Sequence, residues 1–170
     1  MAIFAALLRA INVGGTGMLP MKELAALCVG LGFENVRTYI QSGNVVFETS
    51  LAESKIQATL EQMLTRKMDK KIDVFVRSAS ELRSILQGNP FPEAPPAKVA
   101  VVFLLQPAPK DLLDKVAKPG GEEVRLGKRE IYIYYAEGMG RSKLKLPPAT
   151  GVTTARNINT VAKLVAMTTA

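Results

Sequence analysis

The chain opens on an unbroken apolar run that Arg9 cuts short, and residues 3–9 read as a strand buried on both faces. A glycine-rich turn follows, Val13-Gly-Gly-Thr-Gly17, and Pro20 stands where a first helical position is favoured. The helix it begins should end near Gly30–Gly32. Val36–Gln41 and Val45–Glu48 read as two strands joined by a hairpin turn at Ser42-Gly43-Asn44. The next helix places Ile56, Leu60, Met63, Leu64 and Lys67 on one stripe. Ile72–Val76 is a further strand. The order over residues 3–76 is therefore β-α-β-β-α-β, that of a ferredoxin-like unit. A short helix follows, with Leu82, Ile85 and Leu86 inward and Ser78 or Ser80 as its cap.

Residues 88–97 hold four prolines and mark the best boundary. Beyond them the pattern partly repeats. Val99–Leu105 reads as a buried strand and Pro109–Ala117 as a helix with Leu112, Leu113 and Val116 inward. Val124–Leu126 and Ile131–Tyr135 pair around Gly127-Lys128. After an irregular stretch rich in Gly and Pro, residues 154–167 read as a last helix with Ile158, Val161, Leu164 and Val165 as its core stripe. The second half is thus β-α-β-β-α, one strand short of the first. The expected fold class is α+β, with two ferredoxin-like-related units in one compact chain. They divide as residues 1–87, a Pro-rich linker at 88–97, and residues 98–170 with a basic C-terminal segment.

Composition narrows the chemistry more than it widens it. The 170 residues are 48% apolar and 22% charged, ordinary values for a packed protein. No run of about 18 apolar residues marks a membrane span. The opening Met1–Leu8 has no basic residue before it, so a buried strand is a better reading than a signal peptide, and the expected compartment is the cytoplasm. Cys28 is the single cysteine and shares a helical face with Leu24, Leu27 and Leu31, which makes it a core residue. The chain has no histidine. That excludes Ser–His and Cys–His triads and the usual zinc sites. No carboxylate cluster has metal-ligand spacing, and neither a metal nor a cofactor is expected.

Charge points to the C-terminal half. Residues 1–90 carry 10 Lys+Arg against 8 Asp+Glu, and residues 91–170 carry 12 against 7. No acid follows Glu137, while Arg141, Lys143, Lys145, Arg156 and Lys163 remain. Such a segment suits an anionic partner. Arg141, Ser142 and Lys143 offer donors to a phosphate or carboxylate. Thr153 or Thr154 should cap the last helix, with Asn157 beside the site and Arg156 in the first turn. A cation there opposes the helix dipole and calls for an acidic neighbour or a bound anion. A second candidate is the loop Asn12–Gly17, where Asn12, Gly14 and Gly15 lead into a helix N-terminus as phosphate-binding loops do. It lacks the lysine of a P-loop and the third glycine of a dinucleotide fingerprint.

The leading expectation is a small-ligand binding protein for an anionic group. Nucleic-acid binding through charge is an alternative, although Ser42–Phe47 lacks the basic-glycine-aromatic pattern of an RNA-recognition strand. Tyr132 and Tyr134 share a strand face, and such a pair more often packs against a helix than stacks a base. A catalytic pair of Ser142 with Lys143 or Lys145 has little support. The third alternative is an interaction module without a ligand, including a homodimer joined along a sheet edge.

Four segments carry a resemblance to a known family: Leu8-Arg-Ala-Ile-Asn-Val-Gly-Gly15, Gly32–Phe47 with its core Thr38-Tyr-Ile-Gln-Ser-Gly-Asn-Val-Val-Phe47, Gly140-Arg-Ser-Lys-Leu144 and Thr153-Thr-Ala-Arg-Asn-Ile-Asn-Thr160. With these the chain resembles a widespread bacterial family catalogued as a domain of unknown function. The resemblance implies an α+β fold with ferredoxin-like features and brings no activity with it. Ile158 departs from the tryptophan usual in that pattern, so it implies no stacking aromatic there.

Overall fold

The computed structural model describes residues 1–9, 19–39, 43–116 and 121–169. Among them are two four-stranded antiparallel sheets and four α-helices, a mixed α+β architecture. The chain divides into two compact units, Met1–Leu82 with Leu164–Ala170, and Arg83–Lys163. No helix among the described residues is long and apolar enough to cross a membrane.

The first sheet is built from β1 (Ala2–Leu8), β2 (Glu34–Tyr39), β3 (Asn44–Thr49) and β4 (Val74–Ser78) in the order β2-β3-β1-β4. Ala5, Ala6, Leu7 and Leu8 are all buried, as the unbroken apolar run requires of a central strand. Alternation then sorts the side chains. Phe4, Ala6 and Leu8 share a core with Val45, Phe47, Val74 and Val76, and with Leu24 and Cys28 of α1 (Met21–Gly30) and Ile56, Leu60 and Leu64 of α2 (Glu53–Met68). Each fully buried Leu, Ile or Phe of this set contributes about 1.5–3 kcal/mol. Lys67, expected on the α2 stripe, lies at its margin and pairs with Glu23 of α1.

Local chemistry fixes the corners. Pro20 caps α1 rather than opening it: its carbonyl accepts the amides of Glu23 and Leu24 at 3.0 Å each. The helix ends in a paired reversal. Gly32, at φ +90°, donates to Val29 O at 2.9 Å, and Phe33 donates to Cys28 O at 3.2 Å. Phe33 then stacks on Phe47, centroids 4.4 Å apart. At the end of β4, Ser78 and Glu81 form a reciprocal cap for α3 (Ala79–Gln87). Ser78 Oγ accepts the Glu81 amide, and Glu81 Oε1 accepts the Ser78 amide, both at 3.2 Å.

The second sheet contains β5 (Val99–Leu104), β6 (Glu123–Leu126), β7 (Glu130–Tyr134) and β8 (Thr153–Asn157), in the order β6-β7-β5-β8. Two expectations are corrected here. The described part of Pro109–Ala117, which ends at Val116, holds no α-helix. Only Leu112–Lys115 turns, with the 3-10 bonds Leu112 N to Pro109 O and Asp114 N to Asp111 O. Thr153–Asn157 is a strand, so the second unit does possess its closing strand, and α4 spans Ile158–Thr168. The β-branched run Val152-Thr153-Thr154 favours extended backbone. Asn157 is the cap, its Oδ1 accepting the Asn159 amide at 2.8 Å. The irregular stretch expected between β7 and β8 is present, with 3-10 turns at Met139–Arg141 and Pro148–Thr150.

The registers of the two sheets correspond. Ala5 of β1 faces Val46 and Arg77, and Val101 of β5 faces Tyr132 and Arg156. Arg77 and Arg156 are therefore equivalent positions, 1% and 7% exposed. Each donates from Nη1 to the carbonyl of the residue before it, at 2.9 and 3.0 Å.

Gly30 and Gly32 separate backbone from packing, because a Cβ on either meets nothing within 4 Å. Gly30→Ala, on the helix, should stabilise the protein by about 0.5–1 kcal/mol. Gly32→Ala, at φ +90°, should destabilise it by about 1–2 kcal/mol. Urea denaturation of the two variants beside the parent checks the opposite signs.

Candidate functional site

The sequence-predicted site lies on the segment from the end of β7 through β8, and the structure divides it. Thr154 and Arg156 point to one face of β8 and are both buried. Arg156 Nη1 donates to Thr154 Oγ1 at 2.7 Å as well as to Ala155 O. Burial lowers the guanidinium to about 10, so it is charged at neutral pH. Backbone and hydroxyl oxygens of its own strand are among the partners of its charge. Arg156 is on a strand and not in a helix's first turn, so it opposes no helix dipole from there.

Asn157 is also occupied structurally. Besides capping α4, its Nδ2 donates to Pro96 O and Ala97 O at 3.2 and 3.1 Å, tying the strand end to the 3-10 turn Pro96–Lys98. Ser142 Oγ donates to Glu122 Oε1 at 2.8 Å and accepts the Leu144 amide at 3.1 Å. Glu122 is itself buried. Its carboxylate, after burial, also helps to raise the Tyr135 phenol above its ordinary value. A carboxylate at hydrogen-bond distance repels an anion from the Ser142 hydroxyl. The backbone of Arg141 closes the Met139–Arg141 turn, and its side chain lies outside the described part of the structure. Lys143 and Lys145 are exposed. Asn12, Gly14 and Gly15 lie outside the described residues.

The structure thus brings Thr154 beside Arg156 but holds both in the interior, and among the described side chains of the segment Lys143 and Lys145 are the exposed cations. Among the described residues no three His, Cys, Asp or Glu side chains gather as a metal would require. Cys28 is buried, and desolvation pushes its thiol up to about 12. The tyrosine pair splits as well. Tyr132 is buried and donates to Ile85 O of α3 at 2.6 Å. Tyr134, half-buried, meets Phe91 with centroids 5.9 Å apart. Tyr132 therefore offers no free ring face for a base.

Sequence reasoning missed a cleft of about 340 Å³ in the second unit, between the loop Pro90–Pro95 and the side chains of Glu123 and Tyr134. The signal was Phe91, a large aromatic set among four prolines in a segment that read as a linker. Phe91 is buried, and its amide is held by Asn89 Oδ1 at 2.9 Å.

The family profile described as protein of unknown function (DUF1697) matches residues 1–132. Two of the four resemblance segments, 140–144 and 153–160, lie beyond that match. No curated protein matches the chain. Among solved structures it is similar to one titled the structure of conserved bacterial protein SP0830 from Streptococcus pneumoniae. The two share 24% identity at a TM-score of 0.79, with 98% of each chain covered. At that identity the likeness shows the fold.

The Tyr132 phenol gives a test of the interior assigned here. Burial first, and Glu130 second, raise it to about 12 from an ordinary 10. The unfolded chain ionises at the lower value, so this stabilisation is complete below pH 10 and is lost as pH rises towards 12. Tyr132→Phe should cost about 1–2 kcal/mol at pH 8, through the unpaired Ile85 carbonyl. The deficit should shrink steadily between pH 10 and 12, as read by urea denaturation at stepped pH.

Proposed function

Because the chain belongs to the DUF1697 family of proteins of unknown function, membership supplies no activity, and we propose from its own surface that it is a cytoplasmic small-ligand binding protein recognising a phosphate or other anionic group. One observation carries this reading. The loop joining β7 to β8 exposes Lys143 and Lys145 in a stretch of sequence that has no acid after Glu137. Exposed ammonium groups on a loop held at both ends by strands suit a phosphate as point charges. Thr154 and Arg156, bonded to one another within β8, and Asn157, bonded to the Pro96–Lys98 turn and to α4, are not assigned contacts with the ligand.

Binding is favoured over catalysis by the groups present. A serine hydroxyl whose partner is a carboxylate has too weak a base to become a nucleophile, and the one thiol is buried and protonated. The two units are read as relatives of the ferredoxin-like arrangement. The support is the strand order β2-β3-β1-β4, repeated by β6-β7-β5-β8, with every neighbouring pair antiparallel.

The test is a thermal-shift series with inorganic phosphate, nucleotides and sugar phosphates on the parent and on Lys143→Ala/Lys145→Ala. Both lysines are exposed, so the variant should fold. A ligand at about 100 times its dissociation constant should raise the parent's midpoint by several degrees, and the variant should lose most of that rise. If no anion stabilises the parent more than the variant, the reading fails.

A further inference from the structure

We infer that the cleft beside the proline-rich loop binds an organic ammonium group, of the class of linear diamines and polyamines. The cleft belongs to the second unit and is separate from the lysine-bearing loop.

Its shape is set in advance. Pro90, Pro92 and Pro95 fix three backbone φ angles in the wall. The Phe91 amide is bound to Asn89 Oδ1, and the Phe91 carbonyl accepts the Ala94 amide at 3.1 Å. A wall already ordered loses little entropy when a ligand arrives. The opposite side comes from the sheet. Glu123 of β6 and Tyr134 of β7 are direct cross-strand partners, so their side chains stand together on one face. Tyr134 and Phe91 meet at 44°, giving two aromatic surfaces set at an angle.

The charge lining this space has one sign. Glu93 and Glu123 are its charged residues, in a chain with 22 Lys+Arg against 15 Asp+Glu. Both carboxylates are exposed and able to meet a cation from solvent. The molecule itself shows that this chemistry holds a cation. Arg125, which is not part of the lining, sets its guanidinium carbon 5.7 Å from the Phe91 centroid and its Nη2 3.8 Å from Glu123 Oε1. Aromatic face plus carboxylate is the pairing that recognises an ammonium head. Proline rings and the Phe91 edge offer apolar surface to an aliphatic stem. With Arg125 offsetting one carboxylate, the cleft retains one net negative charge, which suits the head of a flexible amine whose other end stays in water.

Titration calorimetry with cadaverine and spermidine tests this, with 1-pentanol as the uncharged control. The expected dissociation constant is about 1 mM or tighter, as a few partly exposed cation–aromatic and ion-pair contacts allow. Glu93→Gln/Glu123→Gln changes only exposed side chains and should weaken binding about tenfold. Tyr134→Ala, checked for folding by circular dichroism, should weaken it too, and pentanol should not bind measurably. The proposal is overturned if neither amine binds at 10 mM, if the double variant binds as the parent does, or if pentanol binds equally well. Lys143→Ala/Lys145→Ala should leave amine affinity unchanged, which keeps this result independent of the anion reading.

Discussion

A strand that gives up both faces to the interior can keep its backbone only if both of its edges are paired. That constraint governs each half of this chain. In β1, Ala5 to Leu8 are buried without interruption, and in β5 every residue from Val99 to Leu104 is. A buried amide or carbonyl left unpaired would cost as much as a hydrogen bond or more. β1 must therefore lie between β3 and β4, and β5 between β7 and β8, as they do. The outer strands, the helices over the first sheet and the turns at the corners follow from those placements. Even the two buried arginines obey the same logic. They sit at matching registers and turn a guanidinium nitrogen back onto a carbonyl of their own strand.

The elements that were legible are those whose signal is short-ranged. Ile56, Leu60 and Leu64 recur at helical spacing and are the buried line of α2. Gly32 and Gly43 were read as turn residues from glycine alone, and both take positive φ. A serine cap for α3 is legible at Ser78 or Ser80, and the reciprocal bonds with Glu81 give the role to Ser78. The misreadings arose where two signals competed. Thr153 and Thr154 are good helix caps and good strand formers, and pairing with β5 decided the matter. At Leu112–Val116 the apolar spacing is helical and Leu112 and Val116 are buried, yet the backbone makes only a 3-10 turn, so apolar spacing alone does not separate the two helix types.

The candidate site was less legible for a reason the fold makes plain. Charge in a sequence has no address. Arg156 reads in the sequence as a helix-start cation that needs an acidic neighbour or a bound anion, whereas strand alternation turns it inward beside Thr154. Ser142 read as a free donor, but Glu122 reaches it from well upstream in the sequence. The cleft was invisible for the converse reason. Phe91 and Tyr134 belong to segments far apart in sequence, and only the β6–β7 pairing brings Glu123 beside Tyr134.

A net charge of +7 invites the inference that a cation is turned away everywhere on this surface. It does not follow. At physiological ionic strength the screening length is about 8 Å, so charges beyond a few side chains contribute little to the potential in a given cleft. What a ligand meets is local: two carboxylates and two aromatic rings in the cleft, and two bare ammonium groups on the β7–β8 loop. One unit can thus present regions of opposite sign without conflict. Low salt would favour the lysine loop, since the long-range field of the whole chain then adds to it. Under the two proposals, amine binding in the cleft gains nothing from that field and depends on contact, so raising salt should separate it from anion binding at the loop.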